Sequence, residues 1–86
     1  MTTVRLHYWA GARAAAGREY EEWTADSIDE ALAAARARRD ARFTGILSVC
    51  SLLLDGVVVD AARSSQRLEA SVTVEILPPF AGGSTN

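Results

Sequence analysis

Hydrophobic and polar positions alternate at the start of the chain. In TVRLHYWA, Val4, Leu6 and Tyr8 fall on one side and Arg5, His7 and Trp9 on the other. This period of two predicts a strand over residues 3–10. GARAAAGR, bounded by Gly11 and Gly17, predicts a loop or short helical turn. EYEEWT predicts a second strand returning on the first as a hairpin. The period then changes. SIDEALAAARARR opens with Ser27 and has Glu30 three residues later, a capping box. Ile28, Ala31, Leu32 and Ala35 make one helical stripe. Asp29 and Glu30 sit in the first turn, and Arg36, Arg38 and Arg39 in the last, as the helix dipole favours. A helix is expected from 28 to about 40, with Gly45 stopping an irregular continuation.

The pattern changes again in VCSLLLDGVVVDA. Asp55-Gly56 marks a two-residue hairpin between two apolar runs. Such unbroken runs predict strands buried on both faces or in the sheet centre. ARSSQRLEA reads as a polar connection. SVTVEIL predicts the last strand, with Val72, Val74 and Ile76 facing one side and Thr73, Glu75 and Leu77 the other. Pro78-Pro79 ends it, because proline offers no donor to a ladder. The order is strand, strand, helix, strand, strand, strand. The fold class is therefore α+β, a mixed sheet with one main helix packed on one face. This is the order of the ubiquitin-like β-grasp, in which the first and last strands lie parallel in the sheet centre. The expected division is a β-grasp domain over 1–80 and a flexible tail over 81–86 that carries Gly-Gly.

Composition narrows the function classes. The 86 residues fit one domain, and 49% hydrophobic with 23% charged residues is a globular balance. A net charge of −2 gives no field for nucleic acid. All nine basic residues are arginine. The amino-terminal stretch lacks a signal-peptide pattern and no run is long enough to span a membrane, so a cytoplasmic location is expected. One cysteine, Cys50, and one histidine, His7, exclude an intramolecular disulfide and a structural zinc site within the chain. Cys50 reads as a structural residue of an apolar strand. GARAAAG lacks the Lys-Ser/Thr ending of a phosphate loop. No cofactor or metal is expected on this chain.

The ending ILPPFAGGSTN carries the remaining signal. Leu77 and Phe80 are large and apolar. Ala81, Gly82 and Gly83 have almost no side chain. Extended, the three residues after Phe80 reach roughly 10 Å. A thin arm of that reach can enter a narrow channel and present a carboxylate to another protein's active site.

LPPFAGG, directly after an apolar strand, resembles the ending of the molybdopterin synthase small subunit and its relatives, the MoaD/ThiS sulfur-carrier family. VRLHYWAGARAAAGRE is similar to that family's first strand and loop, SIDEALAA to its helix start and LLLDGVVVD to its central hairpin. The resemblance implies a carrier and not an enzyme by itself. An E1-like adenylating and sulfur-transferring enzyme, using ATP, would activate the terminal glycine. Sulfur would then replace AMP to leave a thiocarboxylate. The large subunit of molybdopterin synthase would receive the tail. Carried over, Gly83 bears the adenylate and thiocarboxylate, and Gly82 supplies clearance. Leu77, Pro79, Phe80 and Ala81 contact partners. Arg5, His7, Thr73 and Glu75 are expected to flank that surface on the helix-free sheet face.

Two features depart from the family's pattern. Ser84-Thr85-Asn86 follow Gly83, which implies removal by a processing protease. The turn before the last strand is LEASV where the family is usually Gly-Asp-rich. The alternatives are a sulfur carrier for cysteine, thiamine or another sulfur metabolite, a ubiquitin-like protein modifier, and a non-catalytic β-grasp binding module.

Overall fold

The computed structural model describes residues 2–79. The element order is β1 (Thr3–Tyr8), α1 (Ala10–Ala16), β2 (Tyr20–Thr24), α2 (Ile28–Ala37), α3 (Ala41–Val49), β3 (Ser51–Leu54), β4 (Val57–Val58), α4 (Ala61–Ser65) and β5 (Val72–Leu77). The strands form one sheet of order β2-β1-β5-β3-β4. β1 and β5 pair in parallel at its centre, with Leu6 opposite Val74 and His7 opposite Glu75. The other pairings are antiparallel. This is the expected β-grasp arrangement.

Side-chain alternation sorts the sheet into two faces. Val4, Leu6, Tyr8, Val74 and Ile76 are fully buried under the helices. Ile28, Ala31, Leu32 and Ala35 of α2 pack on them, as the stripe predicted. Ser27 caps α2 by accepting from Glu30 N at 3.1 Å, and Glu30 Oε1 accepts from Asp26 N at 2.9 Å.

The helical region is richer than expected. α2 ends at Ala37, and Asp40 starts a new helix by accepting from Phe43 N at 3.1 Å. Gly45 lies inside α3 and stops nothing. Phe43 and Leu47, one turn apart, are buried, and Phe43 meets Tyr8 edge-on at 5.7 Å. Their burial outweighs the roughly 1 kcal/mol that a mid-helix glycine costs relative to alanine. The polar connection also folds: Asp60 accepts from Arg63 N at 2.8 Å and caps α4. Short capped helices of this kind have too little periodicity to be read as a stripe.

Three further expectations change. β1 ends at Tyr8, and Trp9 becomes the residue preceding α1. Cys50 lies in no strand. It ends α3, half-buried, with its thiol donating to Ile46 O at 3.1 Å. Burial pushes that thiol up from its ordinary value, which leaves it protonated and a poor nucleophile. The apolar hairpin is not central. Asp55 and Gly56 both have positive φ, as its turn requires, but Val57 and Val58 are 67% and 66% exposed at the sheet edge.

One polar group inside the fold ties four elements together. Glu21 Oε1 accepts from Tyr8 Oη at 2.8 Å and from Arg39 Nη1 at 2.8 Å, and Arg39 Nη2 reaches Oε2 at 3.1 Å. Arg39 also donates to Ala16 O and Ala35 O, carbonyls in the last turns of α1 and α2. Burial pushes the Glu21 carboxyl up, but the Arg39 and Tyr8 hydrogen bonds and the Arg39 charge win and hold it below the ordinary value. Burial, then the Glu21 contact, pushes Tyr8 up.

Removing Arg39 strands the Glu21 charge in a buried position. Arg39→Ala is expected to cost about 3–5 kcal/mol in urea unfolding at neutral pH. The wild-type chain loses the Glu21 contribution as pH falls through its lowered value, so that acid loss flattens in the variant. Equal stability of the two chains at neutral pH contradicts the assignment.

Candidate functional site

The face of the sheet away from the helices carries the alternate residues. Arg5 and His7 of β1 sit beside Thr73 and Glu75 of β5. Leu77 pairs with Ser51, and Leu53 sits between Glu75 and Val58. The four flanking residues expected from the sequence therefore share one surface.

Glu75 organises that surface. Its Oε1 accepts from Trp9 Nε1 at 2.6 Å and lies 2.6 Å from His7 Nδ1. The His7 ring stacks on Tyr20 at 4.2 Å and meets Trp9 at 4.4 Å. Arg5 lies 3.9 Å over Tyr20, so cation, rings and carboxylate form one row. His7 is only 7% exposed and its Nε2 has no hydrogen-bond partner, with Glu19 Oε2 3.5 Å away.

Beside this row the surface turns apolar. Trp9, Leu53, Val58, Leu77, Pro78 and Pro79 line an open groove of about 900 Å³. β5 delivers Leu77 to its floor, and the two prolines end the strand at its rim. Trp9 N donates to Ile76 O at 3.1 Å, which locks the Trp9 wall to the end of β5. Of the expected contact residues, Leu77 and Pro79 are both in the groove. Phe80, Ala81, Gly82 and Gly83 lie outside the described residues. The chain leaves the described fold at the groove, so a partner gripping it also holds the root of the tail.

Cys50 lies against α3 on the helix side, away from His7, so the two do not form a nucleophilic pair. Among the described residues no group of three His, Cys, Asp or Glu side chains can hold a metal ion. The arrangement suits docking and presentation of a tail.

Trp9, Leu53 and Val58 were not recognised from the sequence as site residues. The signal was present. A hairpin with more apolar residues than one core face can use leaves some outside, and pairing around Asp55-Gly56 sets Leu53 opposite Val58.

The ThiS family model matches residues 6–83. The chain belongs to the ThiS family. It is a small ubiquitin-like protein of the ThiS/MoaD carrier type. Solved structures agree in fold. Subunit 1 and 2 of molybdopterin-converting factor from Helicobacter pylori 26695 form a protein–protein complex. One of its chains matches with 20% identity over 95% of this chain and 100% of that one, at a TM-score of 0.70. A putative molybdopterin converting factor subunit 1 from Pyrococcus furiosus matches with 18% identity, 93% and 100% coverage, and a TM-score of 0.73. Small archaeal modifier protein 1 from Methanosarcina acetivorans matches with 21% identity, 96% and 98% coverage, and a TM-score of 0.76. No curated protein matches this ThiS-family chain in sequence. Among the described residues no helix is long and apolar enough to cross a membrane.

If Glu75 holds the groove wall, its loss frees the indole. In a Trp23→Phe background, Glu75→Ala is expected to shift Trp9 fluorescence to the red and to cost about 1–3 kcal/mol of stability. An unchanged emission maximum contradicts the role.

Proposed function

We propose that this ThiS-family chain is a sulfur carrier for molybdopterin synthesis in the cytoplasm. It acts as the small subunit beside the large subunit of molybdopterin synthase. One observation carries the reading: the family match runs through Gly83, the second glycine of a Gly-Gly tail rooted at an apolar docking groove.

In the sequence as it stands Ser84 follows Gly83, so Gly83 has no free carboxylate. A processing protease hydrolyses the Gly83–Ser84 amide and releases Ser84-Thr85-Asn86. An E1-like partner then brings ATP. The Gly83 carboxylate attacks the α-phosphate, pyrophosphate leaves, and an acyl adenylate forms. Hydrosulfide supplied on the partner side attacks the carbonyl and displaces AMP, its proton passes to solvent, and the sulfur stays on Gly83 as a thiocarboxylate. Adenylation matters because it turns a poor leaving oxygen into a good one. Gly82 keeps the arm thin enough to enter the partner's channel, while Leu77, Pro79, Phe80 and Ala81 grip the partner outside it. The residues of the fold supply position only; ATP chemistry belongs to the activating partner.

A second reading is a ubiquitin-like protein modifier. The complete absence of lysine is compatible with it, because the chain has no side-chain amine for joining to itself. High-mass conjugates in host extracts that vanish when Gly83 is deleted would favour that reading, and their absence from the wild-type host tells against it.

A chain ending at Gly83 is expected to support ATP–pyrophosphate exchange by the host's activating enzyme, and the chain ending at Asn86 is expected not to. Leu77→Asp in the shorter chain is expected to lower exchange about tenfold, the loss of one buried apolar contact. Exchange by both chain lengths at the same rate contradicts the processing step.

A further inference from the structure

β2 is one edge of the sheet, and β4, beside the groove, is the other. In the β1–β2 pair, Tyr8 N donates to Glu19 O at 2.8 Å and Ala25 N donates to Thr2 O at 3.1 Å. The antiparallel alternation then turns Glu21 and Trp23 toward β1 and turns the N–H and C=O of Tyr20, Glu22 and Thr24 outward. Among the described residues no strand pairs with that outer edge. All three of those residues are exposed.

The charges around this edge are uneven. Glu19 is paired with Arg13 at 3.7 Å, Glu21 with Arg39 at 2.8 Å and Glu22 with Arg5 at 3.8 Å. Every carboxylate of the β2 region is thus matched by an arginine. Arg18 and Arg38 are left over. Both are exposed, and among the described residues neither has a carboxylate within ion-pair distance. They line one pocket of about 300 Å³ with Gly17, Glu21 and Arg39. Arg38 also lies 5.6 Å over the half-buried Trp23 ring, on the helix side of β2. The C-terminal ends of α1 and α2 meet here and contribute roughly half a negative charge each. That offsets about one of the two spare arginines, so the corner stays positive.

We propose that the β2 edge docks an extended acidic peptide strand of another protein. The added backbone pairs with the outward groups of Tyr20, Glu22 and Thr24. Alternate side chains fall on the helix side, where an aliphatic residue packs on Trp23 and a carboxylate next in line reaches Arg18 and Arg38. A second copy of this chain fits less well, because antiparallel pairing centred on Glu22 sets like charges opposite each other. The site lies at the other edge from the groove and is independent of the tail's chemistry. The carrier can hold such a partner while its tail is engaged.

The test is an NMR titration of the full chain with two synthetic peptides, one repeating Val-Ser-Glu-Ser and one repeating Val-Ser-Lys-Ser, so that valine and the charged residue follow each other along one face of the strand. The glutamate peptide is expected to shift the amides of Tyr20, Glu22 and Thr24 and the side-chain N–H groups of Arg18 and Arg38. It is also expected to slow hydrogen exchange at the three amides. Affinity is expected to fall about tenfold in an Arg18→Ala, Arg38→Ala chain and to weaken with salt. Both arginines are exposed, so an unchanged melting temperature verifies that this chain is folded; the lysine peptide asks the same question with no variant at all. Equal binding of the two peptides, shifts centred on Leu53 and Leu77, or no shift at millimolar peptide would overturn the proposal. So would concentration-dependent shifts at β2 without peptide, which would make a second copy the occupant.

Discussion

The parallel pairing of β1 with β5 is the constraint on which the other features rest. It joins the two ends of the described chain at the middle of the sheet. One face of the pair supplies Leu6, Tyr8, Val74 and Ile76 to the core, and the other sets His7 against Glu75. Because the strands run the same way, both finish at the same end of the sheet. There Trp9 and Leu77 meet, and the chain passes through Pro78-Pro79 toward its Gly-Gly. An antiparallel pairing would send the tail to the opposite end, away from Trp9. Forming a contact between segments so distant in sequence is entropically unfavourable, and the buried Tyr8–Glu21–Arg39 group helps hold β1 in place from the other side.

Much of this was legible because alternation and helical period are local signals. The alternation of TVRLHY and SVTVEIL indicated both central strands and both of their faces. The capping box at Ser27 located the start of α2. The shorter elements left weaker traces. α3 depends on the Asp40 cap and on two buried residues, Phe43 and Leu47, with a glycine between them. α4 depends on one aspartate cap. The hairpin misled for a different reason. Its apolar density looked like core, yet Val57 and Val58 lie at the edge and are largely exposed. A residue's apolar character shows that it prefers to be covered and does not show whether this chain or a partner covers it. At the site, Leu77 and Pro79 were readable from the tail, whereas Trp9 required knowing that β1 ends at Tyr8 and that Glu75 holds the indole.

The open face divides its tasks between the two kinds of surface. The row of Arg5, Tyr20, His7, Glu75 and Trp9 is held together by stacking and charge-assisted contacts, so it gives a rigid wall. The neighbouring groove of Leu53, Val58, Leu77 and Pro79 gives open apolar area of the kind that marks an interaction site. Rigidity beside the tail root matters for a carrier. Residues on a fixed scaffold lose little freedom when a partner docks on them. The half-buried Cys50 on the helix side, its thiol pushed up by burial, fits the proposed function, in which the sulfur is carried at Gly83 and not on the fold's own thiol.

The most direct measurement is the intact mass of the protein purified from its own host while molybdenum cofactor is being made. The account predicts a chain that has lost Ser84-Thr85-Asn86 and has one oxygen at Gly83 replaced by sulfur. A full-length, unmodified chain under those conditions would contradict it.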